Sequence, residues 1–205
     1  QIFTNDPTLP WELMRPMRRR SDGTAEELDF LALDFDVARW HVDTGGVRPL
    51  DRPPRRAPFR GLMAVAPAYA GAAALPSQAA EIDALRSIAG FQAVSGRMAD
   101  VARLVSTPPG GIIHFAGHGR VRSGAEGVAE YAIVLEDDTL DLTTWRGLER
   151  GGGGRHPFFF FNACDVGRTE HVAGFVDGWA PAVLEAGASG YVGGLWPLGD
   201  AGAAA

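Results

Sequence analysis

Two stretches decide the fold: Gly111-Ile112-Ile113-His114-Phe115-Ala116-Gly117-His118-Gly119, and Pro157-Phe158-Phe159-Phe160-Phe161-Asn162-Ala163-Cys164-Asp165-Val166-Gly167. Each opens on a turn former and runs through a short apolar segment without polar alternation. Such a run is what a strand carries when both of its faces are covered, as in a parallel sheet. Each then breaks into small residues around one reactive side chain, His118 in the first and Cys164 in the second. In open parallel sheets, chemistry gathers just beyond the carboxyl ends of the strands. The pattern therefore predicts two strand exits, each presenting one such residue.

Working outward, residues 61–66 read as another apolar strand. Ser77 stands where it can cap a helix with Ile82, Leu85 and Ala89 on one face, stopped by Gly90. Met98, Val101, Ala102 and Val105 show the i, i+3, i+4, i+7 spacing of a second helix, ended by Pro108-Pro109-Gly110. Residues 131–136 predict a strand, 143–149 a short helix and 151–154 a glycine loop. Phe175, Trp179, Val183 and Ala186 share a helical face, and 190–195 is a last strand. This alternation predicts an α/β protein with a mostly parallel central sheet. Strands 61–66, 111–116, 158–162 and 190–195 are expected at its centre. Residues 1–59 are less regular: a helix start at Leu9-Pro10-Trp11-Glu12-Leu13, a strand over 30–35, then an Arg- and Pro-rich connector over 48–60. The expected division is 1–59 and 60–205.

The 205 residues are 46% apolar and 21% charged, which excludes collagen, a disulfide scaffold and a disordered tail. No apolar run reaches membrane length, and no signal peptide is visible, so no membrane partner is expected. The chain opens on Gln1, which suggests a piece of something longer. All 19 basic residues are Arg; with no Lys, a P-loop lysine, a Schiff base and a Ser–Lys dyad are excluded. Many Ala, Gly and Arg suggest GC-rich bacterial coding. The net charge of −6 falls entirely in residues 61–205, so no nucleic-acid partner is expected. A single cysteine forms no internal disulfide, which fits a reducing cytoplasm.

A cysteine in an apolar context is commonly a small buried hydrophobe. Cys164 instead sits at a strand exit, where rigid scaffolds present nucleophiles. The thiolate is the attacking species, and a thiol of ordinary pKa, about 8.5, is mostly protonated at neutral pH. A neighbouring imidazole can take that proton, and His118 lies at the matching exit.

His118 precedes Cys164 by 46 residues. The caspase signature places its His about 50 residues before Gln-Ala-Cys-x-Gly; here the sequence is Asn162-Ala163-Cys164-Asp165-Val166-Gly167. The chain resembles the CHAT-domain family, bacterial caspase-like cysteine peptidases related to separases. Four ordered blocks carry the resemblance. They are the Leu9-Pro10-Trp11-Glu12-Leu13 start, the strand ending in Gly117-His118-Gly119, the strand ending in Ala163-Cys164, and Gly187-Ala188 through Trp196-Pro197-Leu198-Gly199-Asp200. Where the family usually has Ser before Ala-Cys, this chain has Asn162, and the family normally continues beyond Ala205 with a closing helix.

The resemblance implies a caspase-like three-layer sandwich and a cysteine endopeptidase with a His118–Cys164 dyad. The Gly119 and Cys164 backbone N–H groups are its expected oxyanion hole. It implies a protein substrate and an activating sensor domain or partner such as helical repeats. A place in bacterial antiviral defence or cell death follows by the same route. Asp165 and Asp200 are candidate substrate-binding residues, Asp165 equally a loop cap. No cofactor and no metal is expected: His114 shares a strand face with the His118 exit, but lacks a convincing third ligand and reads as a core histidine. The rivals are a catalytically silent CHAT-like interaction module and a nucleotide-binding α/β domain. The latter lacks a G-x-G-x-x-G after its first strand.

Overall fold

The computed structural model describes residues 2–4, 9–41, 59–123, 129–148, 155–172, 175–197 and 199–200. Most of the 48–60 connector and the 151–154 loop lie outside these. The chain divides into two compact units, Gln1–Arg55 and Arg56–Ala205.

In the first unit, β1 (Ile2–Thr4) pairs in parallel with the later β4 (Arg39–His41). A 3-10 turn, Trp11–Leu13, stands where a helix start is expected after Pro10. The strands β2 (Met17–Arg19) and β3 (Ala25–Glu27) form an antiparallel hairpin. Its Arg18 and Glu26 side chains meet at 2.6 Å. The strand expected over 30–35 is instead a single helical turn, α1 (Leu31–Asp34). Leu33 and Phe35 are exposed there, so no second face asks for an extended strand.

The second unit is built on five parallel strands: β5 (Leu62–Val65), β6 (Phe91–Val94), β7 (Ile112–Ala116), β11 (Phe158–Asn162) and β14 (Gly190–Gly193). Their spatial order is β14-β11-β7-β5-β6. The first connection steps outward from β5 to β6, and the later ones step the other way. Right-handed crossovers then place the first helix on one face and the rest on the other. Accordingly α2 (Gln78–Leu85) packs Ile82 and Leu85 against Leu62, Ala64 and Ala116. On the opposite face lie α3 (Met98–Ser106), through Val101 and Val105, and α5 (Trp179–Glu185), through Trp179, Ala182 and Val183. Between β7 and β11 the chain adds a small antiparallel sheet, β8 (Gly119–Ser123), β9 (Ala129–Val134) and β10 (Thr139–Asp141), then α4 (Leu142–Gly147). Trp145 of α4 completes that larger core, edge-on to Phe159 and Trp179. Thus the second unit is an α/β sandwich of three layers around a parallel sheet, as the sequence predicts.

Five details depart from expectation. The strand expected over 190–195 at the sheet centre is β14, which lies at the sheet edge and, among the described residues, pairs only with β11. The edge strand β6 has no signal beyond the preceding Gly90. The helix expected from Phe175 begins only at Trp179; Phe175–Gly178 is β13, paired antiparallel with β12 (Thr169–Val172). Pro181 explains the start, since proline is tolerated only in a helix's first turn. Ser77 makes no side-chain cap. Finally, Phe160 is 37% exposed although it lies mid-strand. It shares the α2 face with Val192, its register partner on β14. Because α2 covers only the β5–β7 part of that face, both remain partly open.

Candidate active site

The register of the two decisive strands pairs Ala116 with Asn162. His118 and Cys164 each follow two residues later, so one register brings both exits to the same end of the sheet. The pairing continues past the strands, the Gly117 N–H donating to the Asn162 carbonyl at 3.1 Å.

His118 is held on several sides. Its backbone N–H donates to the Tyr69 hydroxyl at 3.0 Å, and that hydroxyl donates to the Val134 carbonyl at 2.6 Å. The Val134 N–H in turn donates to the His118 carbonyl at 2.9 Å. The Tyr69 and His118 rings lie 4.6 Å apart, tilted by 57°. Burial pushes the Tyr69 phenol up to about 12, so it stays a neutral donor. The imidazole Nε2 stands 2.7 Å from the Ala73 carbonyl. A carbonyl only accepts, so Nε2 carries the hydrogen, and in the neutral ring Nδ1 is the basic nitrogen.

Cys164 is partly exposed at a turn that begins after the buried Ala163. Asp165 has φ 57°, a left-handed conformation that Asp adopts more readily than most residues and that bends the chain sharply after the thiol. The turn is tied to the end of β14: the Gly167 N–H donates to the Gly194 carbonyl at 2.7 Å, and the Tyr191 hydroxyl to the Val166 carbonyl at 2.7 Å. Gly119 lies directly against the Cys164 carbonyl, so a Cβ at 119 would overlap it. Gly119 also faces Ile133 in the non-hydrogen-bonded position of the β8–β9 ladder, since the flanking His118 carbonyl and Val134 N–H are bonded to each other. Its own N–H therefore points away from β9.

His118 and Cys164 both line a cavity of about 160 Å³, together with Gln78, Glu81, Asn162 and Asp200. Beneath it runs a polar cluster: the His114 Nε2 and the Asn162 Nδ2 both donate to Glu81 Oε1, at 2.7 and 2.8 Å. His114 is buried and stacked on Phe160. Among the described residues, no three of His, Cys, Asp and Glu gather as a metal site. Asp200 borders the cavity and accepts the Ser77 N–H on Oδ2 at 2.8 Å, just before the start of α2. Asp165 does not line the cavity; its carboxylate pairs with the Arg168 guanidinium at 3.3 Å. Sequence reading missed Tyr69, Ala73 and Glu81, which reach the site across 49, 45 and 33 residues and carry no local signal.

A parallel α/β sandwich with a histidine and a cysteine at adjoining strand ends is the caspase-like arrangement. The family model of the CHAT domain matches residues 8–205, and the chain belongs to that caspase-like, peptidase-related family. No curated protein matches the chain. Among the described residues, no helix is long and apolar enough to cross a membrane.

Proposed function

We propose that this chain is a cysteine endopeptidase. One observation carries the reading: His118 and Cys164, two residues beyond a register pair, line one cavity while Ala73 fixes the histidine tautomer. In the proposed cycle His118 Nδ1 takes the proton from Cys164 Sγ, and the thiolate attacks the scissile carbonyl carbon. The developing oxyanion is met by the Gly119 and Cys164 N–H groups, each such donor being worth about 10²–10³ in rate. The imidazolium returns its proton to the leaving amine, and a thioester remains. Water, deprotonated by His118, then hydrolyses the thioester to acid and thiol.

In this reading the substrate is a partner protein. A sensor region or partner, such as helical repeats, activates the site in a bacterial defence or cell-death setting in the cytoplasm. The family and the intact His–Cys pair support it over a silent interaction module. The test is a positional-scanning peptide library, with intact-mass detection of the acyl-enzyme on Cys164. Cleavage should fall at least about 10³-fold in both Cys164→Ala and His118→Ala. Equal cleavage by the Cys164→Ala chain would remove the proposal.

A further inference from the structure

We infer that the cavity beside Cys164 recognises a cationic substrate side chain, with Glu81 and Asp200 as its anionic partners. The inference rests on the peptidase reading for its use, because it assigns the residue preceding the scissile bond.

Among the described residues the wall carries two carboxylates and no arginine. Glu81 is largely withdrawn from solvent, its side chain 13% accessible. Both donors that reach it, from His114 and Asn162, go to Oε1. They fix its orientation, while Oε2 has no hydrogen-bond donor among the described residues. Asp200 repeats the pattern: Ser77 occupies Oδ2, and no described residue donates to Oδ1. Gln78 spends its amide hydrogens on the Pro67 and Ala116 carbonyls, at 3.1 and 2.7 Å, which leaves it only an acceptor to offer. The side chains from α2 and Asp200 thus present acceptors without donors.

An aliphatic occupant would strip water from these carboxylates and give nothing back. A carboxylate occupant would add like charge. A guanidinium or ammonium group supplies both the charge and several N–H donors. The size agrees: a cavity of about 150 Å³ holds benzene, so one of 160 Å³ takes a single extended side chain. The negative balance of residues 61–205 also favours approach of a basic segment.

The test titrates the full chain calorimetrically with butylguanidine, butylamine, pentanamide and butyrate. At least one of the two cations should bind about tenfold or more tightly than the amide and the anion. Glu81→Gln should lower that affinity about tenfold. So should Asp200→Asn, which keeps an acceptor for Ser77 and guards against a folding artefact. In the peptide library, Arg or Lys before the cut should exceed Leu and Asp by about 10² in kcat/KM, through KM more than kcat in the Glu81→Gln comparison. Cation binding without cleavage of any peptide, with the activating partner added, would sink the peptidase reading and leave this site standing. Cleavage with a Leu or Asp preference, or no binding of either cation, would overturn it.

Discussion

Tyr69 grips His118 at two points, accepting its backbone N–H at 3.0 Å and laying its ring 4.6 Å from the imidazole. The hydroxyl also closes a small circuit through Val134. Tyr69→Phe keeps the ring and deletes the circuit. It leaves the Val134 carbonyl and the His118 N–H each short of a partner, at about 1–3 kcal/mol of stability. On the peptidase reading kcat falls about tenfold with KM nearly unchanged, because the substrate cavity is untouched while the base loses its fixed position. Steady-state kinetics beside a urea titration separates the two effects. An equal loss in KM alone would place Tyr69 in substrate binding instead.

Gly119 against the Cys164 carbonyl gives a second prediction. Gly119→Ala drives a methyl into the main chain of the nucleophile turn, and activity should drop at least about 10²-fold. Gly147→Ala is the matched control, since nothing lies within 4 Å of a Cβ there. At the end of α4 it should leave stability unchanged or raise it by up to about 1 kcal/mol. Peptide turnover and thermal melts of the two variants check both halves.

Alternate phenylalanines of β11 should differ sharply. Phe161 is 3% exposed and meets Phe115, Phe159, Trp179 and Tyr191 at ring separations of 5.3 to 5.9 Å. Phe161→Ala should cost about 3–5 kcal/mol. Phe160, on the partly open face, keeps mainly its stack on His114, and Phe160→Ala should cost about 1–2 kcal/mol, less than the burial of a whole ring. Chemical denaturation of both variants gives the comparison, and equal losses would mean that the α2 face is covered to the same depth.

Stability should also fall in alkali. Burial pushes the Tyr69 phenol up to about 12 and the Tyr191 phenol well above its usual range. The fold favours the neutral phenols, so their contribution is complete below an ordinary phenol pKa of about 10 and is lost as pH rises past it. Melting temperature against pH should be level to about pH 10 and fall beyond it. Tyr69→Phe should flatten part of that fall, and an unchanged slope would contradict the assignment.

How far the sequence reached depends on the range of each interaction. β7 is legible because a strand covered on both faces needs an unbroken apolar run; β11 carries the same kind of run although its α2 face leaves Phe160 37% exposed. The Met98–Val105 spacing is legible because one helical face fills the larger core. His118 and Cys164 stand out because small residues mark where those strands end. What escaped is long-range or weakly patterned. β6 is an edge strand with two exposed central residues. The turn at Leu31–Asp34 has an apolar composition that the structure leaves largely in solvent. Glu81 looks like an ordinary helix carboxylate until the fold brings Asn162, 81 residues away, to its oxygen.

The central claim of the proposal is that His118 takes the proton of Cys164, and the rate of alkylation by iodoacetamide against pH tests it most directly. A thiol of ordinary pKa, about 8.5, should react about 10²-fold more slowly at pH 6 than at pH 8. The account predicts one adduct, on Cys164, at rates differing less than about tenfold between those pH values, with His118→Ala restoring the steep dependence. A steep dependence in the unaltered chain, unchanged by His118→Ala, would contradict it.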